Sequence, residues 1–224
     1  MVLEAAKTDQ ARQAVAAALS EKGAACMTCS FQAEDMVVLD LIREYQPDIP
    51  VLFLETGYHF PAVYRYRDEM TARYGLNLVN VVPKKTITEQ EAEFGILYRS
   101  QPDQCCKLRK VQPLFAALED YRVWFTGLRR VQSPTRANLQ LREAFSLPSG
   151  KQLAKINPLW DWSDRDVWTV ARGRDIPLLP LYDSGYTSIG CEPCTALPSD
   201  ASNTRSGRWA GKKLECGIHI AEAG

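Results

Sequence analysis

The sequence predicts an α/β fold: a mostly parallel sheet flanked by helices, followed by an irregular C-terminal arm. Two observations carry this. Short apolar strand-like runs alternate with helical periodicities from residue 24 to residue 127, the pattern of a parallel sheet with helices on both faces. Past Pro177 the periodicity dissolves into glycines, prolines, serines and two further cysteines through Gly211. With 224 residues and 25.2 kDa the chain suits one hydrophobic core, so residues 1–224 are expected to form a single domain with 177–224 as its irregular segment.

Taken in order, Thr8 or Asp9 is placed to cap a first helix in which Ala11, Ala14, Val15, Ala18 and Leu19 share a stripe, with Gly23 as its stop. Ala24 to Phe31 reads as a buried strand. Val37, Val38, Leu41, Ile42 and Tyr45 then recur at helical spacing until Pro47. Val51 to Leu54 is a second strand, Pro61 opens a helix to about Tyr74, and Leu76 to Val82 is a third strand. Lys107 to Leu118 reads as helix and Val123 to Thr126 as a strand ending at Gly127, with 128–150 a long loop region containing some helix. Ser163 and Asp166 form a capping box for a helix carrying Val167 and Trp168.

Ligands of open parallel sheets bind beyond the carboxyl ends of the strands, here Ser30 to Asp35, Leu54 to Phe60 and Gly127 to Arg136. No GxGxxG, Walker A or GxSxG occurs, so the dinucleotide, P-loop and hydrolase-elbow signatures are absent. Lys+Arg and Asp+Glu both number 27, which gives no global field for nucleic acid or an anionic membrane; any anion site must be local. No apolar run approaches a membrane span and no secretory signal opens the chain, so a cytoplasmic protein without nucleic-acid or membrane partners is expected.

Seven cysteines, an odd number, suggest metal or thiol chemistry rather than a disulfide framework. Cys105 and Cys106 are adjacent, and Cys191 and Cys194 form a CxxC. Three readings stand side by side: buried thiols without a ligand, a tetrahedral zinc site that an adjacent pair serves awkwardly, or an iron–sulfur cluster, whose separate irons tolerate adjacency better. Lys107, Arg109 and Lys110 would offset an anionic cluster. Cys26 and Cys29, three apart on a predicted strand, point to opposite faces and read as core. Cys216 stands alone behind Arg205, Arg208, Lys212 and Lys213, cations that favour a thiolate, and reads as a nucleophile.

The ordered segments Ser30-Phe31, Ala33-Glu34-Asp35, Leu54-Glu55-Thr56-Gly57, Cys105 to Lys110, Gly127 to Arg130, Gln132 to Arg136, Asn157-Pro158-Leu159, Cys191 to Cys194 and Glu215 to His219 span nearly the whole chain. Together they resemble the assimilatory adenylyl-sulfate reductases, of the adenine-nucleotide alpha-hydrolase-like (Rossmann-like) folds. The resemblance implies reduction of adenosine 5'-phosphosulfate to sulfite and AMP by thioredoxin, through an S-sulfocysteine on Cys216. It also implies a [4Fe-4S] cluster on Cys105, Cys106, Cys191 and Cys194. Lys110, Arg205, Arg208 and His219 match family positions that stabilise the charge of the leaving phosphate. Ser30, Glu34, the backbone at Leu54, Gly127 and Arg136 match positions around adenine and ribose. A homo-oligomer is expected. The alternatives are a 3'-phosphoadenosine 5'-phosphosulfate reductase, which usually lacks both cysteine pairs; an ATP-cleaving thiolation enzyme, which would want a glycine-rich first loop where this chain has Gln32; and a zinc-stabilised nucleotide-binding module without catalysis. The segment from Arg208 to Cys216 is shorter than the family pattern.

Overall fold

The computed structural model describes residues 2–200, 203–211 and 213–219. The chain opens with α1 (Val2–Leu19), which passes straight through Thr8 and Asp9 instead of being capped by them. The preceding Leu, Glu, Ala, Ala and Lys are strong helix formers, and Thr8 is itself buried in the helix. Ala11, Val15 and Ala18 form the buried row. β1 (Ala25–Thr28) is shorter than the apolar run suggests, because Phe31 adopts a left-handed φ of 60° and turns the chain toward α2 (Ala33–Arg43). Phe31 is fully buried and packs edge-on against Phe53 and Tyr66, which holds this turn. α2 stops before Tyr45, which is 48% exposed. β2 (Pro50–Leu54), α3 (Pro61–Tyr74) and β3 (Asn77–Val81) follow as the sequence predicts.

After β3 come two short helices that the periodicity did not single out, α4 (Ile87–Phe94), with a Thr86/Glu89 capping box, and α5 (Leu97–Ser100). The helix expected from Lys107 begins earlier. It comprises α6 (Pro102–Cys106), a π-helical turn over Lys107–Val111 and α7 (Gln112–Leu118). Pro113 has no N–H for the Arg109 carbonyl and its ring crowds that oxygen, which accounts for the widened turn. In this turn Arg109 and Lys110 are buried together, beside the buried Cys105 and Cys106, while Lys107 faces solvent.

β4 (Val123–Phe125) is followed by two 3-10 turns (Arg130–Gln132 and Pro134–Arg136) and then by β5 (Arg142–Ser146) and β6 (Gln152–Ile156). The region read as loop therefore holds a strand, and a further one follows it. Their signal is weak because β5 is an edge strand with a single buried position, Phe145, and β6 carries Lys155 in mid-strand. α8 (Asp164–Gly173) starts at the Ser163/Asp166 capping box. Beyond it the described chain holds only 3-10 turns and isolated bridges, among them His59 to Cys191 and Thr195 to Arg208.

The sheet order is β3-β2-β1-β4-β6-β5, parallel except for the antiparallel β5/β6 pair. Alternate residues face opposite cores. Met27, Val51, Phe53, Val123 and Phe125 join the core under α1, α2, α3 and α8, whereas Cys26, Leu52 and Trp124 join the core with α7, Phe145 and Leu153. Cys26 and Cys29 accordingly lie in different cores.

From β1 the chain runs outward through β2 and β3, then returns to β4 on the other side. The β1/β4 boundary is thus the switch point where a crevice opens. There Gly127 meets α2 closely: a Cβ on it would lie 2.2 Å from Asp35 Oδ1 and 3.0 Å from the Asp35 amide. Gly127→Ala is therefore expected to lose about 1–3 kcal/mol of stability through overpacking against backbone. Urea unfolding of the variant beside wild type measures this.

Candidate active site

A cleft of about 410 Å³ occupies the switch point. Its walls bring together ten residues expected from sequence: Ser30, Glu34, Leu54, Gly127 and Arg136 from the strand ends, and Lys110, Arg205, Arg208, Cys216 and His219. A small second pocket adjoins it, lined by Cys105, Cys106, Cys191 and Cys194 with Tyr58, Tyr98 and Trp209. Lys110 borders both pockets.

The floor of the cleft is organised by Asp35, which sequence reasoning left out of the site. Its Oδ2 accepts from the Ser30 amide and hydroxyl, both at 2.6 Å, and the Gly127 amide also donates to the carboxylate. Enclosure raises Asp35 to about 6 against these bonds. Ser30 and Gly127 thus shape the floor through Asp35. Glu34 pairs with Arg129 at 3.2 Å and accepts a short bond from Gln132; Arg129, 4% exposed, also reaches Asp164 at 2.6 Å. The Leu54 carbonyl hydrogen-bonds the His59 ring at 2.8 Å, and burial lowers His59 to about 4.

Lys110 is 9% exposed, and burial alone would favour its neutral form. The sulfurs of Cys191, Cys216 and Cys106 outweigh that, and its pKa ends above the usual lysine value. Arg208 is 6% exposed and lies with its guanidinium 4.4 Å from the centre of the Trp209 ring. Gly190 makes room for it, since a Cβ there would lie 2.1 Å from the Arg208 side chain. Burial lowers Arg208, opposed by Cys191, Cys216, Cys194 and Cys106. Arg205 is pushed down to about 10 by burial and by Arg136; its NH2 donates to the Leu214 carbonyl at 2.9 Å. All three cations share the cleft with Cys216 and are favoured in their charged form by its sulfur. Lys213 instead pairs with Asp103 at 2.6 Å and reaches toward Cys106, and Lys212 lies outside the described residues.

His219 stacks on Trp124 with ring centroids 5.4 Å apart and planes 17° apart. Its Nδ1 is buried without a hydrogen-bond partner. Burial, then Lys155, Arg136 and Arg205, depress its pKa well below the usual value, so the ring is neutral near pH 7. Arg136 donates from Nε and NH2 to the two oxygens of Glu215, at 2.9 and 2.8 Å, and does not present a free fork to the cleft.

In the cysteine pocket, the Thr56 hydroxyl lies 3.4 Å from Cys191 Sγ. Burial would raise Cys191, but Lys110, Thr56 and Arg208 bring it below the usual thiol value. Burial and the neighbouring sulfurs push Cys105 up to about 12. Arg109 supports the pocket from behind. It donates to the Thr56 carbonyl at 2.5 Å and to Gln90 at 3.1 Å, and its guanidinium sits over Tyr58. Among the described residues no three His, Cys, Asp or Glu side chains converge as one metal ion would require.

Residues 24–197 match the phosphoadenosine phosphosulfate reductase domain. The chain belongs to this family. Among its relatives, adenosine 5'-phosphosulfate reductase of Mycobacterium tuberculosis is 43% identical over 200 residues, covering 87% of this chain and 78% of the relative. The enzyme of the same name from Rhodococcus opacus is 45% identical over 190 residues, covering 84% and 76%. Among solved structures, phosphoadenylyl-sulfate reductase from Candida auris, a phosphate complex, superposes with a TM-score of 0.73 at 28% identity, covering 84% of this chain and 90% of that one. The mostly parallel sheet matches the family fold expected from sequence.

Residues outside the expected set also build this family site. Asp35 and Glu215 sit inside the matching segments but read as neighbours of other residues. Lys155, 4% exposed and paired with Glu143 at 3.2 Å, betrays itself only as a charge inside a strand. The raised pKa of Asp35 sets a sign. Its contribution to stability is complete below 3.8 and is lost as pH rises through about 6. Asp35→Asn should therefore become more stable relative to wild type by about 1–3 kcal/mol between pH 4 and pH 7. Urea midpoints of both proteins across that range measure it.

Proposed function

We propose that this protein reduces adenosine 5'-phosphosulfate to sulfite and AMP, with thioredoxin as reductant, in assimilatory sulfate reduction toward cysteine. The observation that carries this reading is that Cys216 shares one cleft with Lys110, Arg205 and Arg208, at the switch point where this fold binds nucleotides. The relatives at 43–45% identity bear the name adenosine 5'-phosphosulfate reductase. A 3'-phosphorylated substrate is favoured less, since the phosphoadenylyl-sulfate reductase of known structure is 28% identical.

In the proposed reaction the Cys216 thiolate attacks the sulfate sulfur. The S–O bond to the phosphate breaks, and AMP leaves with the electron pair. Lys110, Arg205 and Arg208 hold the charge that grows on the phosphate oxygens. The product on the enzyme is a cysteine S-sulfonate. A thioredoxin thiolate then attacks Cys216 Sγ, sulfite departs with the pair of electrons that lowers sulfur from +6 to +4, and the second thioredoxin thiol resolves the mixed disulfide to restore the Cys216 thiol. Ser30, Glu34, the Leu54 backbone and Gly127 form the wall for adenine and ribose. His219, neutral and flat on Trp124, contributes a ring nitrogen at the cleft.

Cys105, Cys106, Cys191 and Cys194 fit a [4Fe-4S] cluster: all four line one pocket with aromatic walls, and Lys110 and Arg208 supply positive charge beside them. Bound there, the cluster would give each thiolate its own iron and tie α6 to the C-terminal segment. Zinc would instead draw the sulfurs to one point. The same reading takes residues 1–224 as one sulfonucleotide reductase domain, its compartment as the cytoplasm and its assembly as a homo-oligomer. Among the described residues no helix is long and apolar enough to cross a membrane.

Cys216→Ser is expected to keep its iron and to form no sulfite adduct when mixed with adenosine 5'-phosphosulfate, as read by intact-protein mass spectrometry; an adduct on that variant would overturn the role. Cys194→Ser, purified anaerobically, should lose iron, acid-labile sulfide and turnover together. Full iron retention would count against the ligand set, and zinc in wild type would remove the cluster.

A further inference from the structure

Arg136, which the resemblance assigns to the nucleotide, is engaged by the protein itself. Its Nε and NH2 grip both oxygens of Glu215, and its NH1 donates to Gln132 Oε1. Glu215 is saturated in turn. The Thr135 hydroxyl donates to Oε1 at 2.9 Å, and Arg205 NH2 lies 3.8 Å from Oε2. The Arg136 and Glu215 side chains are only 12% and 11% exposed, so the pair is little screened by solvent.

This carboxylate immediately precedes Cys216. Two residues earlier, Lys213 pins the same segment to Asp103 at the start of α6. On the far side, Gly217 takes a φ of 94°, Ile218 packs against the core that contains Trp124, and His219 stacks on that indole. Of these holds, the Glu215 pair is the one adjacent to the thiol, and it is anchored on the turn that follows β4.

We propose that Glu215 is the positioning residue for Cys216: its carboxylate latches the arm onto Arg136 and Arg205 and so fixes the thiol in the cleft. The latch rests on the reading of Cys216 as nucleophile only for its effect on turnover. Its effect on thiol exposure stands alone.

The test uses the full chain, purified anaerobically with its iron, as wild type, Glu215→Gln, Arg136→Gln and the double variant. Iodoacetamide alkylation of Cys216 is followed by peptide mass spectrometry, and adduct formation is followed after mixing with adenosine 5'-phosphosulfate. Both single variants should expose Cys216 to alkylation about 10-fold faster and slow adduct formation by about 10-fold or more, with KM within about 2-fold in Glu215→Gln and iron content unchanged in both. The double variant should match the singles, since each breaks the same pair. Alkylation rates that stay at the wild-type value, or effects that add, overturn the latch. Should wild type form no adduct, the reductase reading fails, while the alkylation rates still decide the latch.

Discussion

Buried positive charge is the constraint around which the cleft is built. Removing a cation from water costs several kcal/mol unless anions or dipoles offset it. Arg129 is offset by Glu34 and Asp164, Lys155 by Glu143, and Arg136 by Glu215. Among the described residues, Lys110 and Arg208 have no carboxylate within ion-pair distance; the groups that favour their charge are sulfurs. Cys191, Cys216 and Cys106 favour the charge of Lys110, and the same three with Cys194 favour that of Arg208. Cys106, Cys191 and Cys194 of the quartet, the lone Cys216 and these two cations therefore form one electrostatic unit, and the two pockets meet at Lys110.

The fold places that unit at the sheet's switch point through two close approaches. Phe31, in a left-handed conformation, and Gly127, with no room for a Cβ, together press the start of α2 against the end of β4. Asp35 then stitches the two strand ends by accepting from Ser30 and Gly127. From the same turn of α2, Glu34 holds Arg129 and Gln132. On the other side, the π turn that Pro113 imposes buries Arg109 and Lys110 together, one bracing the Thr56 carbonyl and the other facing the sulfurs.

How much of this is legible in the sequence depends on the range of the interaction. The parallel core strands and α3 can be read from apolar runs and from Pro61, because burial on both faces leaves a continuous local signal. The opposite facing of Cys26 and Cys29 follows from the period of a strand. β5 and β6 are not legible: one buried phenylalanine on an edge and a lysine in mid-strand look like loop until Glu143 and the Trp124 ring are known to lie beside Lys155. The start of α1 fails for the opposite reason, since Thr8 is a good cap by type but sits inside a run of helix formers. The ten cleft residues can be listed from ordered motifs, yet their partners cannot. Asp35 and Glu215 act across 92 residues, from 35 to 127, and 79 residues, from 136 to 215, and no local pattern marks such a contact.

The distribution of charge along the arm decides which cations the proposed reaction would use. Arg205, Arg208 and Cys216 belong to one segment, so the arm that carries the thiol also supplies two of the three cations that would hold a phosphosulfate. Lys110 alone stays with α6 and α7. In the proposed reaction a phosphosulfate and the thiol would therefore meet the same three charges. Glu215 sharpens the effect by neutralising Arg136. The positive field is then concentrated on Lys110, Arg205 and Arg208, the cations that Cys216 favours, and not spread along the whole cleft.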